Sequence, residues 1–373
     1  MSANRSVVIW RSVLLPASET FIRNQGGAMT RWRPTYVGMR RVPSVLSADT
    51  DVVVAPGGYV GRLAYVWLRL AGGSRRVRKE LARLSPDIVH AHFGGDGWLI
   101  SRSVARLGLP LVITLHGRDV TRQPMARGLR GTRYRGNLRR AFRRASLVIA
   151  VSEDIRTRAI SLGADPAKLV VHHTGVRIPL DPGDDTPKKW DVIFVGRFVA
   201  KKGIDDLIAA LGMISGRRPS ALFVGAGPLE TSARQGAEAL GLDATFVGMQ
   251  APEAVRGYLA ESRVFAAPSK TAPDGDAEGL PTTVLEAASL GLPTVATLHG
   301  GIPEAVVPGV TGLLCDEGDR WALAANIERL LADEGLRERL GQQARQHVAN
   351  HFDIRTQTAR LEGLYDGIVG GAE

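Results

Sequence analysis

Cysteine is nearly missing: Cys315 is the only one in 373 residues. No internal disulfide and no cysteine-based metal cluster can form, which fits a reducing compartment. The eight histidines form no cluster with the spacing of a zinc site. No apolar run approaches the roughly 20 residues that span a bilayer. The N-terminal run in MSANRSVVIWRSVLLP is broken by Arg11, so no secretory signal is expected. These absences point to a cytoplasmic protein.

Positive charge is plentiful but unevenly placed. Residues 1–180 carry 30 basic and 10 acidic side chains, the remainder 18 and 27. Halves of opposite sign imply different partners. The densest run, RDVTRQPMARGLRGTRYRGNLRRAFRRA (118–145), holds ten arginines and one acid, more than solvated helix faces need. It points to an anionic surface or substrate. No aromatic residues interleave in the manner of nucleic-acid binders, so nucleic acid is not an expected partner.

Short apolar runs alternate with helix-patterned segments. Candidate strands are 6–10, 87–92, 111–115, 147–151 and 169–173, then 191–196, 221–225, 244–248, 263–268 and 293–298. Near-continuous apolar strands between helices imply doubly wound parallel sheets, an α/β fold. The series breaks at IPLDPGDDTPKKW (178–190), a linker composition. The expected organisation is a first domain at 1–177, a linker at 178–190 and a second domain at 191–351. A final amphipathic helix lies within 352–373. Ligands of such sheets bind beyond the carboxyl ends of the strands, and two facing domains would share one cleft.

TAPDGDAEGLPTTVLEA (271–287) gathers Asp274, Asp276 and Glu278 just before a helix, with Glu286 inside it. Pro281 suits the first helical turn, and the free N–H groups of Gly279, Leu280, Thr282 and Thr283 would make an anion site there. Carboxylates repel phosphate, so Glu278 and Glu286 are better matched to the sugar hydroxyls that flank a diphosphate. VGRFVAKKG (195–203) supplies cations, Arg197 and Lys202, at a strand's carboxyl end, able to neutralise a leaving diphosphate. VGAGPLE (224–230) carries Gly225 and Gly227, which allow close backbone approach. It lacks the full dinucleotide fingerprint and the acidic ribose partner of a dehydrogenase.

The E-x7-E pair in DGDAEGLPTTVLEA, GLPTVATLHGGIPEAVVPGVTGLL, VGRFVAKKGIDDLIAAL and TFVGMQ together resemble the retaining GT-B glycosyltransferases of family 4 type. SETFI (18–22), VHAHFG (89–94), TLHGRDV (114–120) and VIAVSEDIR (148–156) match more loosely. The resemblance implies a GT-B fold, two Rossmann-like domains facing an interdomain cleft, with the last helix crossing back onto the first domain. It implies that Glu278 and the backbone of Gly279, Leu280, Pro281 and Thr282, with its N–H groups, hold the donor sugar and phosphates. Glu286 would hold the ribose, Arg197 and Lys202 the diphosphate, and Val247 to Met249 the base. His116, and less strongly His92, would face the reaction centre. Asp274 and Asp276 could attract a divalent ion, but amides and cations already supply positive charge, so no metal cofactor is expected.

The expected activity is retaining transfer of a hexose from a nucleoside-diphosphate sugar, UDP-linked for preference, to a hydroxyl acceptor. The acceptor is a lipid-linked or cell-surface glycan precursor, with the arginines of 118–145 docking on acidic lipids at the inner membrane face, or a soluble natural product. The alternatives are a phosphorylase or epimerase of the same fold, and a noncatalytic nucleotide-sugar-binding subunit of a polysaccharide assembly complex.

Overall fold

The computed structural model describes residues 5–16, 19–55, 57–180, 186–216 and 218–370. It divides into two compact units, Met1–Gly175 with Ile354–Glu373, and Val176–Asp353. Part of the 178–190 linker segment, residues 181–185, lies outside the described residues, as does Ser18 of SETFI.

In the first unit the strands are β1 (Arg5–Trp10), β2 (Val13–Leu14), β3 (Trp32–Gly38), β4 (Arg40–Arg41), β5 (Val52–Val53), β6 (Ile88–His92), β7 (Leu111–Leu115), β8 (Leu147–Ala150) and β9 (Leu169–Val171). Seven make a parallel sheet in the order β5-β3-β1-β6-β7-β8-β9, and β2 pairs with β4 beside it. The order reverses between β1 and β6, so their carboxyl ends open a crevice at Arg11 and His92–Phe93. That reversal is where such sheets bind ligands.

β3 was not expected, because Arg33 and Pro34 interrupt its apolar pattern. It pairs with β1 from Trp32 to Val37, whereas β5 covers only Val37 and Gly38. Pro34 thus sits where β3 is an edge, a position that tolerates a missing N–H.

The final helix runs Ile354–Gly370 and belongs to this first unit. Its Leu361 and Tyr365 join Val7, Ile9, Ile88 and Val112 in the core. Burying a side chain such as Leu361 completely contributes about 2 kcal/mol. Glu362 of the same helix accepts the backbone N–H groups of Thr30, Arg31 and Trp32 at 2.8, 2.7 and 3.0 Å.

The second unit contains β10 (Trp190–Val195), β11 (Ala221–Val224), β12 (Ala244–Gly248), β13 (Ser262–Ala267), β14 (Thr294–Thr297) and β15 (Gly312–Cys315), all parallel, in the order β12-β11-β10-β13-β14-β15. β15 was unexpected, being short and glycine-led. Val192, Phe194, Phe223 and Val264 pack against Leu207 and Leu211 of the Ile204–Met213 helix and Ile327 of the Arg320–Ala332 helix. Here the order reverses between β10 and β13. The loops after these two strands are those carrying Arg197 to Lys202 and Asp274 to Glu278.

Candidate active site

In the second unit a tight turn brings the two loops together. Gly203 has φ +65°, and a Cβ on it would collide with the Pro268 carbonyl at the end of β13. The N–H of Lys270 donates to the Lys201 carbonyl at 2.9 Å, stitching the loops side by side. Lys202 Nζ then lies 3.3 Å and Lys201 Nζ 3.5 Å from Glu278 Oε1. Lys201 also pairs with Asp276 Oδ1 at 3.3 Å.

Glu278 is buried, and beyond these two ion pairs its Oε1 takes no hydrogen bond among the described residues. Burial alone would push its carboxyl up; Lys202 and then Lys201 outweigh burial and hold it down to about 2. The result is an ionised carboxylate with unused acceptor capacity, shielded from bulk water.

Its backbone is equally constrained. The Glu278 N–H donates to His299 Nε2 at 3.0 Å, so that nitrogen must be unprotonated. The proton therefore resides on Nδ1, which donates to Glu317 Oε1 at 2.5 Å. Glu317 Oε2 accepts the Thr271 N–H at 2.8 Å, fixing the start of the acidic loop. His299 and Glu317 were not anticipated from sequence, nor was Lys201, which the KK doublet concealed behind Lys202.

Gly300 has φ +52°, and a Cβ there would run into the Glu278 carbonyl oxygen. We expect Gly300→Ala to lose about 2 kcal/mol, from strain plus collision. Urea unfolding would measure the loss; an unchanged midpoint would refute it.

The helix beyond Glu278 runs Thr282–Ser289 with Pro281 as its N-cap, one residue earlier than the helical position expected for that proline. No backbone partner within the described residues takes the N–H groups of Gly279, Leu280, Thr282 or Thr283. Leu280 is buried and packs the loop down. Glu286, one turn into the helix, is half-buried and makes no side-chain hydrogen bond or ion pair among the described residues. Burial pushes its carboxyl up to about 7, with Arg256 and Lys202 pulling the other way. Two acids eight residues apart thus have opposite electrostatic settings.

The remaining second-unit candidates are less uniform. Arg197 is exposed in the loop after β10 and is not brought onto Glu278 as Lys202 is. Gly225 and Gly227 permit close approach, but to the protein's own 196–198 loop: a Cβ on either would strike the Gly196 or Phe198 backbone. Val247 is half-buried near the end of β12, and Met249 is 76% exposed just beyond it. Asp274 accepts the Asp276 N–H at 3.1 Å, making the DGD stretch a self-capped turn. Among the described residues no group of three His, Cys, Asp or Glu is arranged to hold a metal.

Three of the four weak N-terminal fragments, 18–22, 89–94 and 114–120, converge at the crevice of the first unit. His92 Nδ1 and His116 Nε2 share a hydrogen bond at 3.0 Å. Phe21 and Phe93 lie against His116, with ring centroids 4.8 and 4.7 Å away. Arg11, directly after β1, pairs with Glu19 at 2.5 Å and with Asp96, and stacks over Phe93. Burial, then Arg11 and His90, lower His116 to about 3, so it is an uncharged hydrogen-bonding group at neutral pH. Asp119 accepts the N–H groups of Gly94, His116 and Gly117 at 2.8, 3.2 and 3.0 Å and so shapes the loop. Phe93 has φ +72°, an uncommon conformation for a non-glycine residue and one that concentrates at functional sites. Arg11, Asp96 and Asp119 were missed, since only tertiary structure joins them to the histidines.

Residues 183–347 match the family model for glycosyl transferases group 1, and residues 22–178 match that for glycosyltransferase family 4. The chain is a GT-B glycosyltransferase of family 4 type. This glycosyltransferase is 30% identical over 297 residues to WcaL of Salmonella typhimurium, assigned to colanic acid biosynthesis, covering 76% of this chain and 71% of that one. It is 34% identical over 280 residues to the GDP-mannose-dependent alpha-(1-6)-phosphatidylinositol monomannoside mannosyltransferase of Mycolicibacterium smegmatis, covering 69% and 70%. HepE from Anabaena, solved in complex with UDP, superposes with a TM-score of 0.77 at 22% identity over 97% of this chain and 100% of that one. At that identity the likeness establishes the fold.

Proposed function

We propose that this glycosyltransferase moves a hexose from a nucleoside-diphosphate sugar to a hydroxyl acceptor with retention at the anomeric carbon. The observation that carries the reading is Glu278 Oε1: buried, ionised and, among the described residues, met only by the two lysine ammonium groups, beside amides at the start of the Thr282–Ser289 helix that find no backbone partner among those residues. An ionised carboxylate only accepts hydrogen bonds. Sugar hydroxyls meet that requirement and phosphate does not. The helix amides and Lys202, with Arg197 from the exposed loop, are assigned to the diphosphate, and Glu286 to the ribose. Val247 and Met249 are assigned to the base.

The acceptor oxygen attacks C1 as the bond from C1 to the diphosphate oxygen breaks on the same face, and the departing diphosphate takes the acceptor's proton. Positioning and electrostatics then supply the rate. No metal cofactor is required in this scheme, because amides and ammonium groups neutralise the leaving group. His116, uncharged, is assigned to hydrogen-bond the reacting sugar. A UDP-sugar is the preferred donor, supported by the UDP complex of HepE. The mannosyltransferase relative, whose name specifies GDP-mannose, supports a GDP-sugar as the second reading. The phosphatidylinositol monomannoside in its name, and the colanic acid assignment of WcaL, support a lipid-linked or surface-glycan precursor here.

Thermal unfolding against UDP, GDP, TDP and ADP and their sugars tests the donor assignment. A ligand at 100 times its Kd stabilises by about 2.7 kcal/mol. We expect one nucleotide to raise Tm by several degrees and Glu286→Ala to remove most of that rise. No shift with any nucleotide at millimolar concentration would overturn the donor-binding reading. Product analysis with acceptor, reporting anomeric configuration, tests retention.

A further inference from the structure

The Gly58–Ala71 helix is built inside out. Tyr59, Val60, Leu63, Val66, Trp67 and Leu70 are between 48% and 75% exposed. At 3.6 residues per turn these six fall within an arc of roughly 120°. The opposite side carries the buried Gly61 and Leu68, which pack against the unit. An ordinary surface helix has the reverse arrangement.

The surroundings of this arc are basic. Arg62 and Arg69, both exposed, run along one flank of it. Arg133, from the arginine-rich Gly128–Arg144 helix, donates to the Arg69 and Leu70 carbonyls at 3.4 Å and joins that helix to the end of the apolar one. A groove beside the helix has Leu63 and Trp67 on one wall and Arg75 and Arg76 on another. Acidic side chains are absent from the helix itself.

We propose that this helix docks the enzyme on an anionic bilayer surface, its apolar arc entering the boundary between headgroups and acyl chains. The arginines beside it take the lipid phosphates. Trp and Tyr favour that interfacial depth, where an amphipathic ring meets both phases. Apolar area and charge attraction add in such binding, and both are present here on one face. A second copy of the chain is the less suitable occupant, since apposing two such faces in a dimer would set arginine against arginine. The arginine run of 118–145 therefore supplies only the charge of the docking face, and the insertion comes from the Gly58–Ala71 helix. The inference deepens the lipid-linked acceptor reading by naming the surface that would bring the enzyme to it.

Flotation of the full chain with vesicles, without donor or acceptor, tests the proposal separately from the transfer reaction. The vesicles are phosphatidylcholine alone, or with about one-third phosphatidylglycerol. We expect flotation with the anionic vesicles, weakened by high salt, and little with the neutral ones. Leu63→Glu with Trp67→Glu should lower binding at least about tenfold while leaving Tm and the nucleotide-induced shift unchanged. Arg62→Glu with Arg69→Glu should abolish the preference for anionic lipid. Absence of flotation, or flotation unchanged in both double variants, overturns the proposal. So does a concentration-dependent dimer in sedimentation that Trp67→Glu dissociates, because the face would then belong to a second copy.

Discussion

Replacing Glu286 with glutamine is expected to stabilise the protein at pH 8 by up to about 3 kcal/mol while weakening its hold on nucleotide. The carboxyl titrates from 4.5 in the unfolded chain to about 7 when folded. The folded state therefore binds more protons between those values. The associated stability is complete below 4.5 and is lost as pH rises through 7. Above that pH the wild type holds a half-buried charge, only partly offset by Arg256 and Lys202, that the amide does not carry. Chemical denaturation of both proteins from pH 4 to 8 should show the curves together at the acid end and separating as pH rises. Curves that stay parallel throughout would mean Glu286 is not held protonated. The fold tolerates this cost, and its relief by ribose hydroxyls would couple donor binding to proton release. Calorimetry in buffers of different ionisation heat would detect that proton.

Glu278→Gln should act in the opposite sense on stability. We expect activity to fall by at least about 100-fold, the scale of removing one preorganised electrostatic partner. Stability should fall by about 2 kcal/mol, because Lys202 loses its counter-charge and Lys201 keeps only Asp276. With its folded carboxyl held down to about 2, Glu278 contributes stability that is present above the ordinary carboxylate range. That stability is lost as pH falls towards 2. The gap between wild type and variant should be constant from pH 5 to 8 and close on acidification. Near-wild-type turnover in a folded Glu278→Gln protein would remove this residue from the reaction.

The sequence made the acids legible because their chemistry is local: a carboxylate before a helix start and another one turn inside it sit eight apart whatever else the chain does. Lys202 was legible for the same reason, as a cation ending a strand-turn. The supports were not. His299 reaches the Glu278 N–H from 21 positions later, and Glu317 closes the relay from further still, so neither leaves a spacing to read. Arg11 was noticed only as a break in an apolar run, whereas in the structure it is the charged centre of the first-unit crevice. The glycines of VGAGPLE signal close backbone approach, and the backbone that approaches them is that of Gly196 and Phe198. For the Gly58–Ala71 helix, an apolar period gives the size of the face but not the direction in which it points.

The Ile354–Gly370 helix has a consequence for synthesis. The first unit needs Leu361 and Tyr365 for its core and Glu362 for the amides of Thr30 to Trp32, and these are translated only after the whole of the second unit. The second unit has its whole chain by Asp353. Although domains generally fold in the order they emerge from the ribosome, here the later unit can close first, while the earlier one waits with an open core. A nascent chain stalled before residue 354 would hold a complete second unit tethered to an unfinished first, a form exposed to chaperones and proteases until the Ile354–Gly370 helix arrives.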